Sequence, residues 1–256
     1  WWFCGVALVL AGYGQARVRG ASRPFAVVLV YVLAAMPFLG THIALAGYAD
    51  LWMAGFYALA VMAFTRWALP QDGRQGLIAL VFILALPFIK NPGLIWAVTF
   101  FPAVAFVMIS GRKWLLVVVG GAAILVALYF TTGIHFNLPG IGEVLISVQR
   151  VRLPGHDGTG LEFYPVWDAL WDNGFLLANW HLFWYLALPP LLVALPVAWR
   201  DRRVGALLML AAGGLGFLFF IFFFNHQYSR WAQDYTTLNR AFLHLIPALV
   251  FIEGTL

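Results

Sequence analysis

Long apolar stretches, broken by short polar ones, set the pattern of this chain. Nine runs stand out: Trp1–Tyr13, Pro24–Leu39, Asp50–Leu69, Gly76–Ile89, Gly93–Ile109, Trp114–Thr131, Leu182–Trp199, Val204–Phe224 and Ala241–Leu256. Their hydrophobic positions are continuous rather than alternating, which predicts helices and not barrel strands. Apolar stretches of about 17–25 residues match the hydrocarbon thickness of a bilayer, and the shorter runs predict tilted, interfacial or partly inserted segments. Gly40, Pro70, Gly73, Pro92, Gly93 and Gly111 sit where runs end, as boundary residues do. The expected fold class is all-α: a polytopic transmembrane helix bundle of about nine spans, continuous over residues 1–256, with no internal repeat. Gly120–Gly121 and Gly213–Gly214 are expected to mark close helix packing.

One connection is long, from about Gly133 to His181, and it is too aromatic for disorder. After Pro165, Trp167, Leu170, Trp171, Gly174 and Ala178 recur at helical spacing, with Asp168 and Asp172 on another flank. This predicts an amphipathic helix lying in the membrane interface. The segment before it, Arg150 to Gly160, reads as an irregular loop whose charges (Arg150, Arg152, His156, Asp157 and nearby Glu162) are either solvated or cover a groove.

Composition agrees with the pattern. The chain is 63% hydrophobic and 10% charged, against about 25% charged in soluble domains. Its net charge of +5 does not imply nucleic acid, because the basic residues are scattered over loops between spans. They follow the positive-inside rule instead. Arg17, Arg19, Arg23, Arg66, Arg74, Arg112, Lys113, Arg200, Arg202 and Arg203 fall in four alternate short loops, and Lys90, Arg150, Arg152, Arg230 and Arg240 fall on the other side. That bias of ten to five places the first set in the cytoplasm, and seven of the ten acidic residues lie on the far face. Cys4 is alone, so no disulfide framework or thiolate metal site is expected. The chain opens at Trp1 inside an apolar run that lacks signal-peptide features, and it is read as a fragment.

Chemistry gathers on the non-cytoplasmic face in four places. The first is Thr41 to Asp50, where His42, Tyr48 and Asp50 interrupt the apolar rhythm; Asp50 opens a span, where it serves as a helix cap or as a site residue, or both. The second is Lys90-Asn91-Pro92-Gly93. The run before it reaches only about 21 Å at helical rise, so Lys90 is drawn below the headgroup plane, where a cation needs a partner or a task; a lipid phosphate satisfies it, and snorkelling is the bland alternative. The third is the long connection. The fourth runs from Asn225 to Pro247, where Arg240, His244 and Pro247 share one helix face. Arg240 there suits a bidentate phosphate contact or a salt bridge to Asp234 or Glu162.

These clusters, in this order, resemble the C-type integral-membrane glycosyltransferases, closest to the bacterial relatives of protein O-mannosyltransferases and aminoarabinose transferases. His42 to Ala54 is similar to the family pattern H-x-x-x-x-G-Y-A-D followed by a small-residue helix. Lys90–Gly93 is similar to its lysine-bearing link, and Arg240 to Pro247 to its late R-x-x-x-x-x-x-P. Pro92 stands where many relatives have Glu. The family's acidic catalytic motif, in its first extracytoplasmic loop, has no counterpart here, so no catalytic base is assigned and that residue is expected upstream.

The resemblance implies transfer of a sugar from a polyprenyl-phosphate donor to a lipid, glycan or protein acceptor, on the periplasmic or exterior face of a bacterial inner or plasma membrane. It implies Lys90 and Arg240 on the leaving phosphate, with His42, Tyr48 and Asp50 orienting sugar or acceptor. Asn91 and His244 complete the expected binding set, and Trp167, Trp171 and Trp180 are expected to seal the lipid groove. No certain cofactor is implied; some relatives use a divalent metal, and no ligand spacing here demands one. Two rivals remain: a transporter for lipid-linked sugars, which predicts paired repeats and midplane polar groups, and a membrane glycan ligase or polymerase, whose large outer loop fits Gly133–His181.

Overall fold

A computed structural model describes the chain except for residues 46, 69–71, 110–112, 114–115, 117–118, 122, 125–126, 128–133, 139–141, 147–150, 154–155, 160–162, 199, 236 and 256. The described chain is mostly helical. In order come α1 (Trp2–Val18), α2 (Arg23–Ala34), α3 (Pro37–Ala44), α4 (Asp50–Ala68), α5 (Gly73–Ile89), α6 (Gly93–Val98) and α7 (Phe100–Met108). Four short strands follow, β1 (Ile134–Leu138), β2 (Gly142–Ile146), β3 (Val151–Leu153) and β4 (His156–Thr159). The chain then continues through α8 (Trp167–Trp171), a π turn (Asp172–Leu176), α9 (Phe183–Ala198), α10 (Arg202–Phe224), α11 (His226–Gln233) and α12 (Leu238–Glu253).

Helix starts are fixed locally by small polar side chains. Ser22 accepts from the Phe25 amide, Asp72 from Arg74, Asp201 from Arg203, and Asn225 from Gln227 and Tyr228. Each satisfies amides that the first helical turn leaves without a partner.

The core is built on α4 and α12. Thirteen of the 19 residues of α4 are buried, and thirteen of the 16 of α12, which is why both are apolar over most of their surface. Around them pack α1, α5 and α10. Gly55 lets α1 approach α4 so closely that a Cβ there would lie 2.7 Å from Cys4 Sγ. Gly213 and Gly214 do bring helices together: a Cβ on the first meets the Thr99 carbonyl at 3.0 Å, and on the second Leu245 at 2.6 Å. At Gly120 and Gly121 a Cβ meets nothing within 4 Å among the described residues, so the close packing expected there is not seen.

Nine spans are not supported. Among the described residues one helix, α10 with 23 residues, is long and apolar enough to cross a membrane; the number reaches three if the bent pairs α2–α3 and α11–α12, angled at 68° and 92°, each count as one. The physical reason lies in the breaks. Pro37 lacks the amide needed to carry α2 onward and starts α3 instead, and the helices on either side of the Asn91-Pro92 turn, where a run boundary was expected, are short. Helix α5, at 17 residues, rises only about 25 Å. The run Trp114–Thr131 lies largely outside the described residues, as do Arg112, Arg150 and Glu162, and the side chains of Arg152, His156 and Asp157.

The long connection departs from expectation twice. No strand was expected and Arg150 to Gly160 was read as an irregular loop, but β1 to β4 form an antiparallel meander in the order 1-2-3-4, β3 and β4 within that stretch, with Phe136 opposite Val144 and a His135–Glu143 pair at 2.9 Å. The expected interfacial helix is a single α turn followed by the π turn, with Trp167 and Trp171 half exposed. Trp180 does not join them. It is fully buried and donates to Asn239 Oδ1 at 2.9 Å, while Asn239 donates to Asn173 in the π turn. This amide chain fastens the connection to α12.

Gly93 is the most crowded of the described glycines. A Cβ there would lie 1.9 Å from the Leu86 carbonyl oxygen, a backbone atom of α5 that cannot rotate away. Gly93→Ala is expected to cost about 3 kcal/mol or more, read as a lowered unfolding transition in detergent. Gly40→Ala, with open space at its Cβ, is expected to be neutral or slightly stabilising; equal behaviour of the two variants would disprove the α5–α6 packing.

Candidate functional site

Three separate chain segments meet at the N-terminal end of α4. Asp50 is the first residue of that helix. The turn before it relies on Gly47 at φ +135°, a conformation side chains resist, and the Trp1 indole pins it by donating to the Tyr48 carbonyl at 2.9 Å. Lys90 ends α5 in an extended conformation, and the Gly93 amide turns back onto the Lys90 carbonyl at 2.8 Å. Arg240 and His244 lie one turn apart on α12.

The Asp50 carboxylate has no exposed surface. Its Oδ1 accepts from Lys90 Nζ at 2.5 Å and from His244 Nε2 at 2.8 Å. Its Oδ2 accepts from Arg240 Nε at 3.0 Å and Nη2 at 2.7 Å. The carboxylate thus serves side chains from other segments, not the amides of its own helix, and the helix-cap reading gives way to an ion cluster. Arg240 pairs with Asp50 rather than with Asp234.

The protonation of His244 follows from its neighbours. The Trp96 indole N–H, which can only donate, points at His244 Nδ1 at 3.2 Å. Nδ1 is therefore an acceptor, and the single ring proton sits on Nε2, donated to Asp50. With a neutral imidazole, one carboxylate and two cations, the cluster carries a net charge of +1. The surplus faces outward, because the Lys90 and Arg240 side chains are about one-third exposed (31% and 34%) while Asp50 is sealed.

What they face is a cavity of about 690 Å³. Asp50, Lys90, Asn91, Arg240 and His244 line it, together with an apolar wall that includes Ile89, Phe217, Leu218, Ile221 and Phe222. Five of the seven residues expected from sequence therefore share one cavity. The other two stand behind it. The Tyr48 ring lies 5.0 Å from the Arg240 guanidinium carbon, and His42 packs 5.8 Å from Tyr48 while its Nδ1 meets the Phe38 carbonyl at 3.0 Å. They position Arg240 and do not reach the cavity. Trp167 and Trp171 do not line it either.

Several contributors escaped the sequence reading. Trp96 fixes the imidazole, and behind it Thr99 donates to the Trp96 carbonyl at 2.6 Å and meets the Tyr57 hydroxyl at 3.0 Å. All three lie inside apolar runs, where nothing marks them as polar anchors. Tyr228, Trp231 and Thr237 also line the cavity; they belong to the Asn225–Pro247 string, and the i, i+3 spacing of Tyr228 and Trp231 was their one signal. The cluster does not suit a divalent metal. Both Asp50 oxygens are occupied by cationic or neutral donors, Lys90 and Arg240 flank them, and no group of three metal-ligating side chains occurs among the described residues.

Comparison with family models, with curated proteins and with solved structures found no match to this chain. Two predictions follow from the geometry. Asp50→Asn is expected to destabilise the fold by about 3 kcal/mol, because it leaves two clustered cations without their counter-charge. Lys90→Gln is expected to cost less, since Arg240 and His244 still satisfy the carboxylate. Chemical denaturation in micelles ranks the two, and the reverse order would refute the cluster. Imidazole ¹⁵N spectra are expected to show His244 protonated at Nε2 alone, and a proton on Nδ1 would break the Trp96 contact.

Proposed function

We propose that this chain is the donor-binding part of a membrane glycosyltransferase that moves a sugar from a polyprenyl-phosphate carrier to an acceptor on the extracytoplasmic face. The observation that supports this reading is the pairing, in one cavity, of two clustered cations with an apolar wall. An isoprenoid phosphate has the same two-part chemistry. The membrane setting is supported by the length and hydropathy of α10. It is also supported by broad apolar surface on the outside of the bundle, such as Leu77, Leu80, Val81, Leu84 and Phe88 on α5 and Leu186, Leu192 and Val193 on α9, which water would solvate poorly.

In the proposed reaction the acceptor hydroxyl attacks the anomeric carbon, the bond from that carbon to the phosphate oxygen breaks, and the electron pair leaves with the phosphate. Lys90 and Arg240 neutralise the growing charge. Lys90 spends one of its three N–H donors on Asp50 and Arg240 two of five, so both retain donors for phosphate oxygens. Asp50 is a positioning residue and not the base, because its buried oxygens are wrapped by three donor side chains. The hydroxyl proton goes to a base outside this set. The cluster sits at the end of α4 rather than midway along it, which favours a reaction at one face over passage through the bilayer.

The test uses the full-length protein in liposomes with labelled polyprenyl-phosphate sugars. Lys90→Ala and Arg240→Ala are each expected to lower transfer by about 10–100-fold, the value of one charge-assisted hydrogen bond, with membrane insertion unchanged. Wild-type turnover in either variant would refute the phosphate role. Transfer only from diphosphate-linked glycans would replace this reading with a ligase or polymerase, and donor movement without transfer with a transporter.

A further inference from the structure

At the other end of α4 from Asp50 lies a second polar cavity, of about 640 Å³. Four helix ends close it, contributing Arg19 after α1, Arg66 in the last turn of α4, Asp201 and Arg203 at the start of α10, and Thr255 after α12. Three guanidiniums against one carboxylate leave a net charge of +2. The carboxylate is also engaged elsewhere: Asp201 accepts the Arg203 amide at 2.7 Å as the cap of α10. Arg66 has a distant partner in Asp72, at 3.9 Å with both side chains one-third exposed, a surface pair that holds little charge.

Arg19 is the telling member. Its guanidinium lies over the Phe251 ring at 5.3 Å, and its Nε is buried with no hydrogen-bond partner among the described residues. Burial, followed by the nearby charges of Arg203 and Arg66, pushes its pKa down to about 10, so the three cations feel one another across the cavity. An unmet buried N–H on a cation is costly, and like charges gathered from three separate helices raise the cost. A single anion with several acceptor oxygens removes both penalties. A phosphate group offers such oxygens in several directions and matches the planar donor fork of arginine, where a lone carboxylate reaches at most two forks.

We propose that this cavity binds a phosphate-bearing anion, bridged by Arg19, Arg66 and Arg203, on the face opposite the Asp50 cluster. Such a ligand ties together the ends of α1, α4, α10 and α12, so its binding stabilises the bundle. Two sources carry this chemistry: the headgroup of an anionic phospholipid, for which Phe25, Val204 and Leu207 on the same cavity offer apolar contact, and a free phosphate or phosphate ester.

The experiment follows the unfolding temperature of the full-length protein with two probes. Inorganic diphosphate is titrated in neutral detergent, and phosphatidylglycerol is varied in phosphatidylcholine nanodiscs. At least one probe is expected to raise the transition, and Arg19→Gln and Arg203→Gln are each expected to raise the amount needed for half the shift about tenfold. Arg23→Gln, a neighbouring arginine that does not line the cavity, is expected to leave it unchanged. Loss on Arg19→Gln assigns the effect to this cavity rather than to the one holding Lys90. Stabilisation by phosphatidylglycerol alone identifies the headgroup, and stabilisation by diphosphate identifies a free anion. If neither probe stabilises the wild type, or if Arg23→Gln loses as much as Arg19→Gln, the proposal fails. Should Arg19→Gln not fold, Arg203→Gln, whose side chain is exposed, carries the same comparison.

Discussion

A carboxylate with no exposed surface, at the head of a helix that is mostly enclosed by the rest of the bundle, costs several kcal/mol if left alone. The geometry around Asp50 shows how this protein offsets that cost. Four hydrogen bonds from three side chains surround its two oxygens, and two of those side chains bring full positive charge. The arrangement fixes more than charge. It dictates that α5 stop at Lys90, that the following turn be tight enough to need Gly93, and that α12 present Arg240 and His244 on one face. Trp96 and Tyr48 then support these donors from behind. The cationic rim of the cavity is thus a by-product of satisfying one anion, with one positive charge left over.

Helix α4 separates two differently built ends. At about 28 Å of helical rise, it holds the Asp50 cluster away from Arg66 and its arginine neighbours. At the first end the charges are nearly balanced and hydrogen-bonded, which gives a rigid rim. At the second they are unbalanced, and one buried donor has no acceptor among the described residues. Rigid, compensated cations suit a site where charge develops during a reaction. Uncompensated ones suit an anion held for structure or control.

Much of the site was legible in the sequence because polar residues in apolar surroundings must find partners. His42, Tyr48, Asp50, Lys90, Asn91, Arg240 and His244 each interrupt a hydrophobic run, and in the structure they gather at one end of the bundle. That they do so through Asp50, with Lys90 bound to a carboxylate rather than to an external anion, could not be read from residues 40 and 190 positions apart. Trp96 and Thr99 were hidden by being amphipathic residues in apolar segments. The fold was less legible. Apolar runs were equated with spans, but Pro37 splits one of them into two short helices, α5 is itself too short, and α4 and α12 are apolar because protein surrounds them. The β1–β2 hairpin did carry a signal, since Ile134, Phe136 and Leu138 alternate with His135 and Asn137; it was masked by the helical character of everything around it.

The spacing of the Asp50 partners along the chain bears on how the protein is made. Lys90 follows Asp50 by 40 residues and Arg240 by 190, so a ribosome adding about 5–20 residues per second delivers the lysine within seconds and the arginine roughly ten to forty seconds after the aspartate. During that interval the nascent chain holds an acid that is charge-paired but short of three of its four hydrogen bonds, at the mouth of an unfinished bundle. Arrival of α12 is therefore the step that closes the assembly. Until then the aspartate has only a lysine for a companion, and the translocation machinery, water or lipid headgroups must shelter it.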